Sequence, residues 1–402
     1  MEEALSTYLP KVEPIGVEEV PLQSALGRVL ASNLTAVMDD PPFPRAAFDG
    51  YAVRARDTFG ASRSSPIILK VIGEVKAGET PRVSVGEMEA VRIATGAQLP
   101  DGADAVLALE DSKELDGSVE VYKQVSVGTN VDPPGADFRK GEVFLEAGRV
   151  LGGFELLAIA SQNITTVNVW KRPRVAVIAT GDELVEPGTP LEQGKVVSSN
   201  RFMIEGLLKD VADVHYLGIV KDEEEAIMEA VRKAMKYDAI VTTAGTSVGK
   251  RDLIPKVLEE LGGEIIVHGI AIMPGKPTLL GLLDGKPFVG LPGYPVSASI
   301  VVMEVLLPVV DKMAGIRGRR VWNTVKARLV RRIPSRPGIR HYVRVKLEGG
   351  SEPYEAEPIR ITGSGIVSSL VKAQGIVVVP EDLEGYEKGE LVEVRLLRGW
   401  SW

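Results

Sequence analysis

Small hydroxyl residues and glycines follow a short apolar run at residues 239–241. Glycines let the backbone approach a ligand closely, and the amide groups of a strand–turn–helix connection point toward anions. The apolar spacing over 253–261 predicts a helix directly after this turn. We therefore predict an anion-binding turn here, with an ordinary helix start as the alternative. Its residues are Gly245, Thr246, Ser247 and Gly249.

Carboxylates accompany two strand-ending turns of the same region. Asp182 and Glu183 follow Thr180 and Gly181 after a predicted strand, and Asp252 opens the helix that follows the glycine-rich turn. Carboxylates beside backbone donors suit a Mg²⁺–phosphate ligand, because hard cations prefer oxygen ligands. A solvated acidic turn is the structural alternative.

Two proline-fixed turns come next in the sequence. Ligands in α/β proteins bind at the carboxyl ends of the strands, so we expect these turns and the carboxylates to face one crevice. A lysine between two prolines has a restricted backbone and offers a point charge to an oxyanion, whereas a free surface lysine is the alternative. The turns are Pro274, Gly275, Lys276 and Pro277, and then Pro292 to Pro295.

Two further aspartates and the histidines are ambiguous. Asp49 stands in an Asp-Gly turn, and Asp137 could form an ordinary surface salt bridge. His215, His268 and His341 are too scattered in sequence to suggest a zinc cluster.

The composition excludes several classes of protein. The 402 residues predict two to four domains, and 45% hydrophobic residues are typical of globular cores. A net charge of -8 argues against binding to nucleic acid. With no cysteine, disulfides and thiolate metal sites are excluded. The acidic start and the lack of a long apolar run predict a cytoplasmic protein without a signal peptide or a membrane span.

The first half of the chain is predicted to change from helix to strand and back. Residues 1–32 show helical spacing that is interrupted at 12–14, and the proline-rich stretch 33–45 predicts an extended linker. Short apolar runs over 66–146 predict a small β barrel or sandwich, and 150–163 returns to helical spacing.

The second half begins with a different pattern. Strands and helices alternate from residue 174 to residue 313, which predicts a doubly wound, mostly parallel sheet. A basic linker at 315–320 precedes a β-rich segment, 321–402, that predicts a small β-barrel. The predicted fold class is thus α/β and β multidomain.

Taken together, these motifs resemble the molybdopterin molybdenumtransferase family, which comprises the MoeA proteins and the matching domain of gephyrin. The resemblance runs over essentially the whole chain, and the ordered matches make it specific. The segments that carry it are 48–53, 93–97, 102–106, 135–139, 180–184, 245–249, 274–277, 291–298 and 362–370.

The resemblance implies four domains and a homodimer. Residues 1–44 and 147–172 would form one elongated helical domain, into which a β domain at 45–146 is inserted. The α/β molybdopterin-binding domain would be 173–317, and the barrel 318–402. The site would lie between the α/β domain of one chain and the inserted domain of the other.

The implied reaction inserts molybdate, or tungstate, into adenylylated molybdopterin with release of AMP, assisted by Mg²⁺. A molybdopterin adenylyltransferase is a further possible partner. The resemblance implies catalytic roles for Asp49, Thr95, Asp137, Glu183, Asp222, Asp252 and Lys276. It implies Mg²⁺ ligands at Asp182, Glu183, Asp222 and Asp252. It implies substrate binding by Thr180, Gly181, Asp182, Gly245, Thr246, Ser247, Gly249, Pro274, Gly275, Pro277, Pro292, Pro295, Arg340, Arg344, Ser368 and Ser369.

Two positions depart from the family pattern. Met273 stands where relatives commonly carry a cation, and Tyr294 replaces an asparagine. The first removes a charge from the expected oxyanion pocket, and the second alters the contacts at that turn. Two other functions remain open at this point: a molybdopterin adenylyltransferase, and a non-enzymatic scaffold of the gephyrin type.

Overall fold

The computed structural model describes residues 1–243, 253–318, 321–350, 352–360 and 363–397. Within these ranges, no helix is both long and apolar enough to cross a membrane. The chain passes through an N-terminal segment, an inserted β domain, a return segment, an α/β domain and a C-terminal barrel.

The N-terminal segment is helical only at its start, so the second helix predicted after the break at 12–14 is wrong. Pro14 and Pro21 lack the amide donors that a helix needs. A strand forms instead and pairs antiparallel with Thr166–Trp170 of the return segment. The elements are α1 (Glu2–Tyr8), a 3₁₀ turn (Leu9–Lys11), β1 (Val17–Pro21), a 3₁₀ turn (Leu22–Ser24) and β2 (Leu34–Thr35).

The inserted domain is β-rich, as predicted, but its main sheet is open rather than a closed barrel. Six strands pair in the order β7 (Ala105–Ala108), β4 (Gly50–Val53), β6 (Glu89–Ile93), β5 (Ile67–Val75), β9 (Ser118–Val121) and β8 (Ser112–Leu115). The domain contains two clusters of buried apolar side chains. The elements are β3 (Arg45–Ala46), β4 (Gly50–Val53), a 3₁₀ turn (Ala55–Thr58), β5 (Ile67–Val75), β6 (Glu89–Ile93), β7 (Ala105–Ala108), a 3₁₀ turn (Leu109–Asp111), β8 (Ser112–Leu115), β9 (Ser118–Val121) and β10 (Val131–Asp132).

The return segment packs against the N-terminal strands. It consists of β11 (Val143–Leu145), α2 (Gly153–Ser161) and β12 (Thr166–Trp170). β11 pairs with β2, and β12 pairs with β1. The expected elongated helical domain at 1–44 and 147–172 is therefore largely built from strands and turns.

The first helix packs on the α/β domain instead. Ala4, Leu5 and Tyr8 of α1 are buried in the main core of that domain. The hydroxyl of Tyr8 donates a hydrogen bond of 2.7 Å to the carbonyl oxygen of Gly281. Residues from the two ends of the sequence therefore share one core.

The α/β domain follows the predicted alternation closely. The apolar strand runs are buried on both faces, as a doubly wound sheet requires. One strand of the main sheet, Leu279–Leu283, was absent from the sequence prediction, as were the two-residue strands Leu184–Val185, Val196–Val197 and Ile272–Met273. The elements are β13 (Arg174–Thr180), β14 (Leu184–Val185), β15 (Val196–Val197), α3 (Asn200–Leu208), β16 (Asp213–Val220), α4 (Glu224–Ala234), β17 (Ala239–Thr243), α5 (Leu253–Glu260), β18 (Glu264–His268), β19 (Ile272–Met273), β20 (Leu279–Leu283), β21 (Lys286–Leu291), α6 (Pro295–Val301), a π-helical turn (Val302–Leu306) and α7 (Leu307–Met313).

The main sheet of this domain has the order β16-β13-β17-β21-β20-β18. The first four strands are parallel, and β20 is antiparallel to both of its neighbours. Helices α1, α3, α6 and α7 cover one face, and α4 and α5 cover the other. The predicted doubly wound, mostly parallel sheet is thus confirmed.

The C-terminal region forms a closed barrel of five strands, as predicted. Five strands pair in the order β24 (Arg340–Glu348), β25 (Tyr354–Arg360), β22 (Thr324–Leu329), β28 (Leu391–Leu396) and β26 (Gly375–Val379), and β26 pairs back to β24. Strand β19 of the α/β domain adds to the edge of β24, so the two domains share a ladder. The elements are β22 (Thr324–Leu329), β23 (Ile333–Pro334), β24 (Arg340–Glu348), β25 (Tyr354–Arg360), α8 (Ser368–Lys372), β26 (Gly375–Val379), β27 (Gly385–Tyr386) and β28 (Leu391–Leu396).

Candidate functional site

A cavity of about 1020 Å³ lies between the α/β domain and the barrel. The turn 274–277 forms one wall, and the turn 292–295 lies beside it. The barrel contributes Arg344 and the stretch 363–365. Of the residues predicted for the site, Glu183, Pro274, Gly275, Lys276, Pro277, Pro292, Pro295 and Arg344 line this cavity.

Close packing fixes the shape of the turn 274–277. Gly275 has φ +127, and a Cβ there would lie 2.7 Å from Ile272 Cδ1 and 3.0 Å from Val301 Cγ2. The buried hydroxyl of Thr278 donates to the carbonyl oxygen of Gly275 at 2.7 Å. The amide of Ile270 donates to the carbonyl oxygen of Lys276 at 2.9 Å. Only glycine fits at position 275 without displacing its neighbours.

Two cationic side chains line the cavity from opposite domains. Lys276 is exposed and makes no ion pair with any residue in the described part of the chain. Arg344 is only 2% exposed, and burial lowers the pKa of its guanidinium. An exposed ammonium and a buried, planar guanidinium therefore flank the same space.

The other predicted barrel residues do not reach the cavity. Arg340 is held by Glu381, at 3.0 Å from its Nε, and by Glu2, at 3.4 Å from its Nη2. Ser369 is buried and donates to the carbonyl oxygen of Ile366 at 2.6 Å. Ser368 is exposed at the start of α8 and is not part of the cavity wall.

The carboxylates predicted after β13 and β16 come close to one another. The amide of Asp222 donates to Asp182 Oδ1 at 3.3 Å. Burial raises the pKa of Asp222, and the negative charges of Asp182 and Glu183 raise it further. Gly181, with φ +149, leaves room for the Glu183 carboxylate, which a Cβ at position 181 would meet at 2.7 Å. The sheet thus brings together three of the four predicted Mg²⁺ ligands.

These carboxylates provide the right donor chemistry for a hard cation but not a finished site. Asp182, Glu183 and Asp222 offer the oxygen ligands that Mg²⁺ prefers. Across the ranges that the structure covers, however, no three His, Asp or Glu side chains are already arranged to hold a metal ion. Asp252, the fourth predicted ligand, lies outside the described residues, as do Gly245, Thr246, Ser247 and Gly249.

Two threonine hydroxyls are buried near the same edge of the sheet. Thr180 and Thr242 are 0% exposed, and their Oγ1 atoms have no hydrogen-bond partner among the described residues. They stand near the carboxyl ends of the neighbouring strands β13 and β17. A buried hydroxyl without a hydrogen-bond partner is costly, so each of these hydroxyls can form a further hydrogen bond at this edge of the sheet.

The inserted domain places two of its predicted residues together. The amide and the hydroxyl of Thr95 both donate to Asp49 Oδ1, at 2.7 Å and 3.0 Å. Asp137 is exposed, and its amide donates to the carbonyl oxygen of Asp40 at 2.9 Å. None of these three residues lines the cavity of their own chain.

Part of the cavity wall was not predicted from the sequence. Asn200 lines it, and its Nδ2 donates to the carbonyl oxygen of Gly293 at 2.8 Å, which ties α3 to the turn 292–295. The amide of Val296 donates to the carbonyl oxygen of Ser364 at 3.0 Å, which ties that turn to the barrel. The unpredicted polar lining residues are Ser198, Ser199, Asn200, Thr243, Ser297 and Ser364.

Models of known protein families match nearly the whole chain. Residues 1–162 match the model described as "MoeA N-terminal region (domain I and II)", and residues 326–397 match "MoeA C-terminal region (domain IV)". Residues 176–312 match a model described as "Probable molybdopterin binding domain".

Individual relatives agree with the family models. The chain is 40% identical to a protein of Methanocaldococcus jannaschii that is named "Putative molybdopterin biosynthesis protein", and the match covers 98% of this chain and 96% of that one. It is 34% identical to the molybdopterin molybdenumtransferase of Bacillus subtilis, covering 96% and 92%. The solved structure of a molybdopterin biosynthesis MoeA protein from Pyrococcus horikoshii is similar with a TM-score of 0.84 and 40% identity, covering 99% of both chains. The chain therefore belongs to the MoeA family.

Proposed function

We propose that this protein is a molybdopterin molybdenumtransferase, a cytoplasmic enzyme of molybdenum cofactor biosynthesis. It inserts molybdate, or tungstate, into adenylylated molybdopterin and releases AMP. The observation that carries the proposal is the cavity between the α/β domain and the barrel, where Lys276 and Arg344 meet the turn that bears Glu183. The names of the full-length relatives support the same activity.

In this proposal, Lys276 and Arg344 hold the tetrahedral oxyanion. A dianion needs several donors in a partly desolvated pocket, because one exposed ion pair contributes only about 0–1 kcal/mol. Arg344 is buried and presents a rigid fork of N–H donors, which forms strong charge-assisted hydrogen bonds. Lys276 adds a second cation from a turn whose backbone is fixed.

The carboxylates form the cation-binding part of the proposed site. Asp182, Glu183 and Asp222, together with Asp252, would hold Mg²⁺. When bound, this cation neutralises phosphate charge and stabilises the leaving AMP. The protein's own contribution is to place Glu183 in the cavity wall and to keep Asp182 and Asp222 close to it, through the turns that follow β13 and β16.

We further propose a homodimer in which the inserted domain completes the site of the partner chain. Asp49, Thr95 and Asp137 do not line the cavity of their own chain, which is consistent with a role in another. On helix α2, Phe154 is 87% exposed and Leu157 is 68% exposed. The two residues are three positions apart, so they lie on one face of the helix. Large apolar side chains at such exposure are typical of a surface that a second subunit covers.

The direct test is AMP release from adenylylated molybdopterin in the presence of Mg²⁺ and molybdate. We expect release that depends on both. An adenylyltransferase would instead consume ATP in the presence of molybdopterin, and a scaffold would show neither activity. Either of these outcomes would contradict the proposed function.

We also propose a molybdopterin adenylyltransferase that hands over the adenylylated substrate as a protein partner, and a pulldown with the purified enzyme would test this.

A further inference from the structure

Glu304 joins the α/β domain to the barrel through both of its carboxylate oxygens. The residue lies in the π-helical turn Val302–Leu306 of the α/β domain. The hydroxyl of Tyr342 on β24 donates to Glu304 Oε2 at 3.0 Å. Arg395 Nη1 on β28 donates to Glu304 Oε1 at 3.1 Å. One side chain of the first domain is therefore fixed by two strands of the second.

The contact is largely shielded from water. The Glu304 side chain is 12% exposed, that of Arg395 is 28% exposed, and Tyr342 is 1% exposed. A carboxylate at such burial is tolerated only where it is paired and hydrogen-bonded. Burial raises the pKa of Tyr342, and the charge of Glu304 raises it further, so the phenol remains a hydrogen-bond donor.

The strand that carries Tyr342 also carries Arg344. Successive side chains of a strand point to opposite faces, so residues 342 and 344 share one face. Val343 and Val345 pack in the barrel interior, whereas Tyr342 is buried in the core of the α/β domain. The face that Glu304 holds is therefore the face that presents Arg344 to the cavity.

Two further features tie Glu304 to the cavity. The pairing of β24 with β25 contains a bulge directly after Arg344, and bulges redirect the side chains beside them. On the other domain, the helical segment that contains Glu304 begins at Pro295, which itself lines the cavity. π-helical turns inside helices are frequent at functional sites.

We infer that Glu304 is a positioning residue, which sets the place of the Arg344 guanidinium in the oxyanion pocket by holding Tyr342 and Arg395. The inference rests on the proposed function, because it assigns the oxyanion to Arg344. Glu304 itself does not line the cavity and is not expected to touch the substrate.

The test measures binding of sodium molybdate to the full-length protein by calorimetry, without the organic substrate. Tyr342→Phe removes only the hydroxyl, and Glu304→Gln removes only the charge, so both variants should remain folded. We expect each to weaken molybdate binding about tenfold. Glu387→Gln is the matched control, because it removes a carboxylate from another arginine of the barrel, Arg332, at 3.0 Å. It should leave molybdate binding unchanged.

A double-mutant cycle separates positioning from general loosening of the domains. If Glu304 acts through Arg344, Glu304→Gln should add little further loss once Arg344→Lys is present, because the positioned fork is already gone. Two outcomes would overturn the inference and leave the proposed function intact. One is that the losses from Glu304→Gln and Arg344→Lys are additive. The other is that Arg344→Lys weakens molybdate binding while Tyr342→Phe and Glu304→Gln leave it unchanged. Failure of the wild-type protein and of all variants to bind molybdate would overturn the oxyanion assignment in the proposed function.

Discussion

Thr95 directs both its amide and its hydroxyl at one oxygen of Asp49, at 2.7 Å and 3.0 Å. Both bonds favour the ionised carboxylate, so they lower the pKa of Asp49, and the amide has the larger effect. The inserted domain thus keeps an exposed aspartate charged to a lower pH than an ordinary aspartate.

We predict that Thr95→Val raises the pKa of Asp49 toward its ordinary value, because one of the two donors is lost. The carboxylate then becomes protonated at a higher pH than in the wild type. A ¹³C NMR titration of the carboxyl group measures this shift directly. Thr95→Ser keeps the hydroxyl and should titrate like the wild type. Equal pKa values in the Val and Ser variants would show that the hydroxyl bond contributes nothing.

Gly275→Ala should destabilise the protein by about 2–5 kcal/mol, since it combines an unfavourable φ with close contacts. The new Cβ would meet Ile272 and Val301 at 2.7 Å and 3.0 Å. Gly188→Ala is the control, because Gly188 has φ +91 but nothing within 4 Å of an added Cβ. The free energy of unfolding in urea should fall much less for the control. Equal losses would mean that the contacts beside the turn are relaxed at no cost.

Lys276→Ala should raise the molybdate concentration needed for AMP release by about one to two orders of magnitude. A charge-assisted hydrogen bond contributes roughly 1.5–3 kcal/mol, which sets this range. Binding of the adenylylated pterin should change much less, since the carboxylate turns remain. Lys233→Ala removes a helix-surface lysine that pairs with Glu229 and serves as the charge control. If Lys276→Ala instead abolishes pterin binding, the turn 274–277 serves the organic substrate.

The composite site can be tested by mixing two inactive proteins. Asp49→Ala and Glu183→Ala should each abolish AMP release, because they remove groups from different domains. A heterodimer of the two variants contains one site with both groups intact, so part of the activity should return. Verified heterodimers that stay inactive would place Asp49 and Glu183 outside a shared site. Mixing Glu183→Ala with Asp182→Ala, both on one turn, is the negative control.

The sequence predicted the α/β domain well because its signals are local. Buried strands are continuous apolar runs, and the helices between them show regular spacing. Strand β20 was missed although a turn signal was present: Asp284 and Gly285 have φ 53 and 72, as in a two-residue hairpin. In contrast, Leu22, Ala25 and Leu30 have helical spacing in the sequence but do not form a helix. Their side chains instead contribute to a small core shared with the return segment.

The site was predictable at the turns and not at the interface between domains. The turns that carry Glu183, Lys276 and Pro292 do meet at one cavity, because carboxyl ends of parallel strands share an edge. Which barrel arginine faces that cavity depends on long-range partners. Arg340 and Arg344 lie on the same strand, but Glu381 and Glu2 hold Arg340 elsewhere. Such long-range ion pairs cannot be predicted from the spacing of residues in the sequence.

The docking of α1 has a consequence for synthesis of the chain on the ribosome. Tyr8 is synthesised well before its acceptor, the carbonyl of Gly281, which lies 273 residues later in the chain. The apolar face formed by Ala4, Leu5 and Tyr8 therefore remains exposed to solvent until the inserted domain and most of the α/β sheet have been synthesised. Because this apolar face stays exposed during synthesis, we expect a chaperone that shields apolar surface to bind the segment.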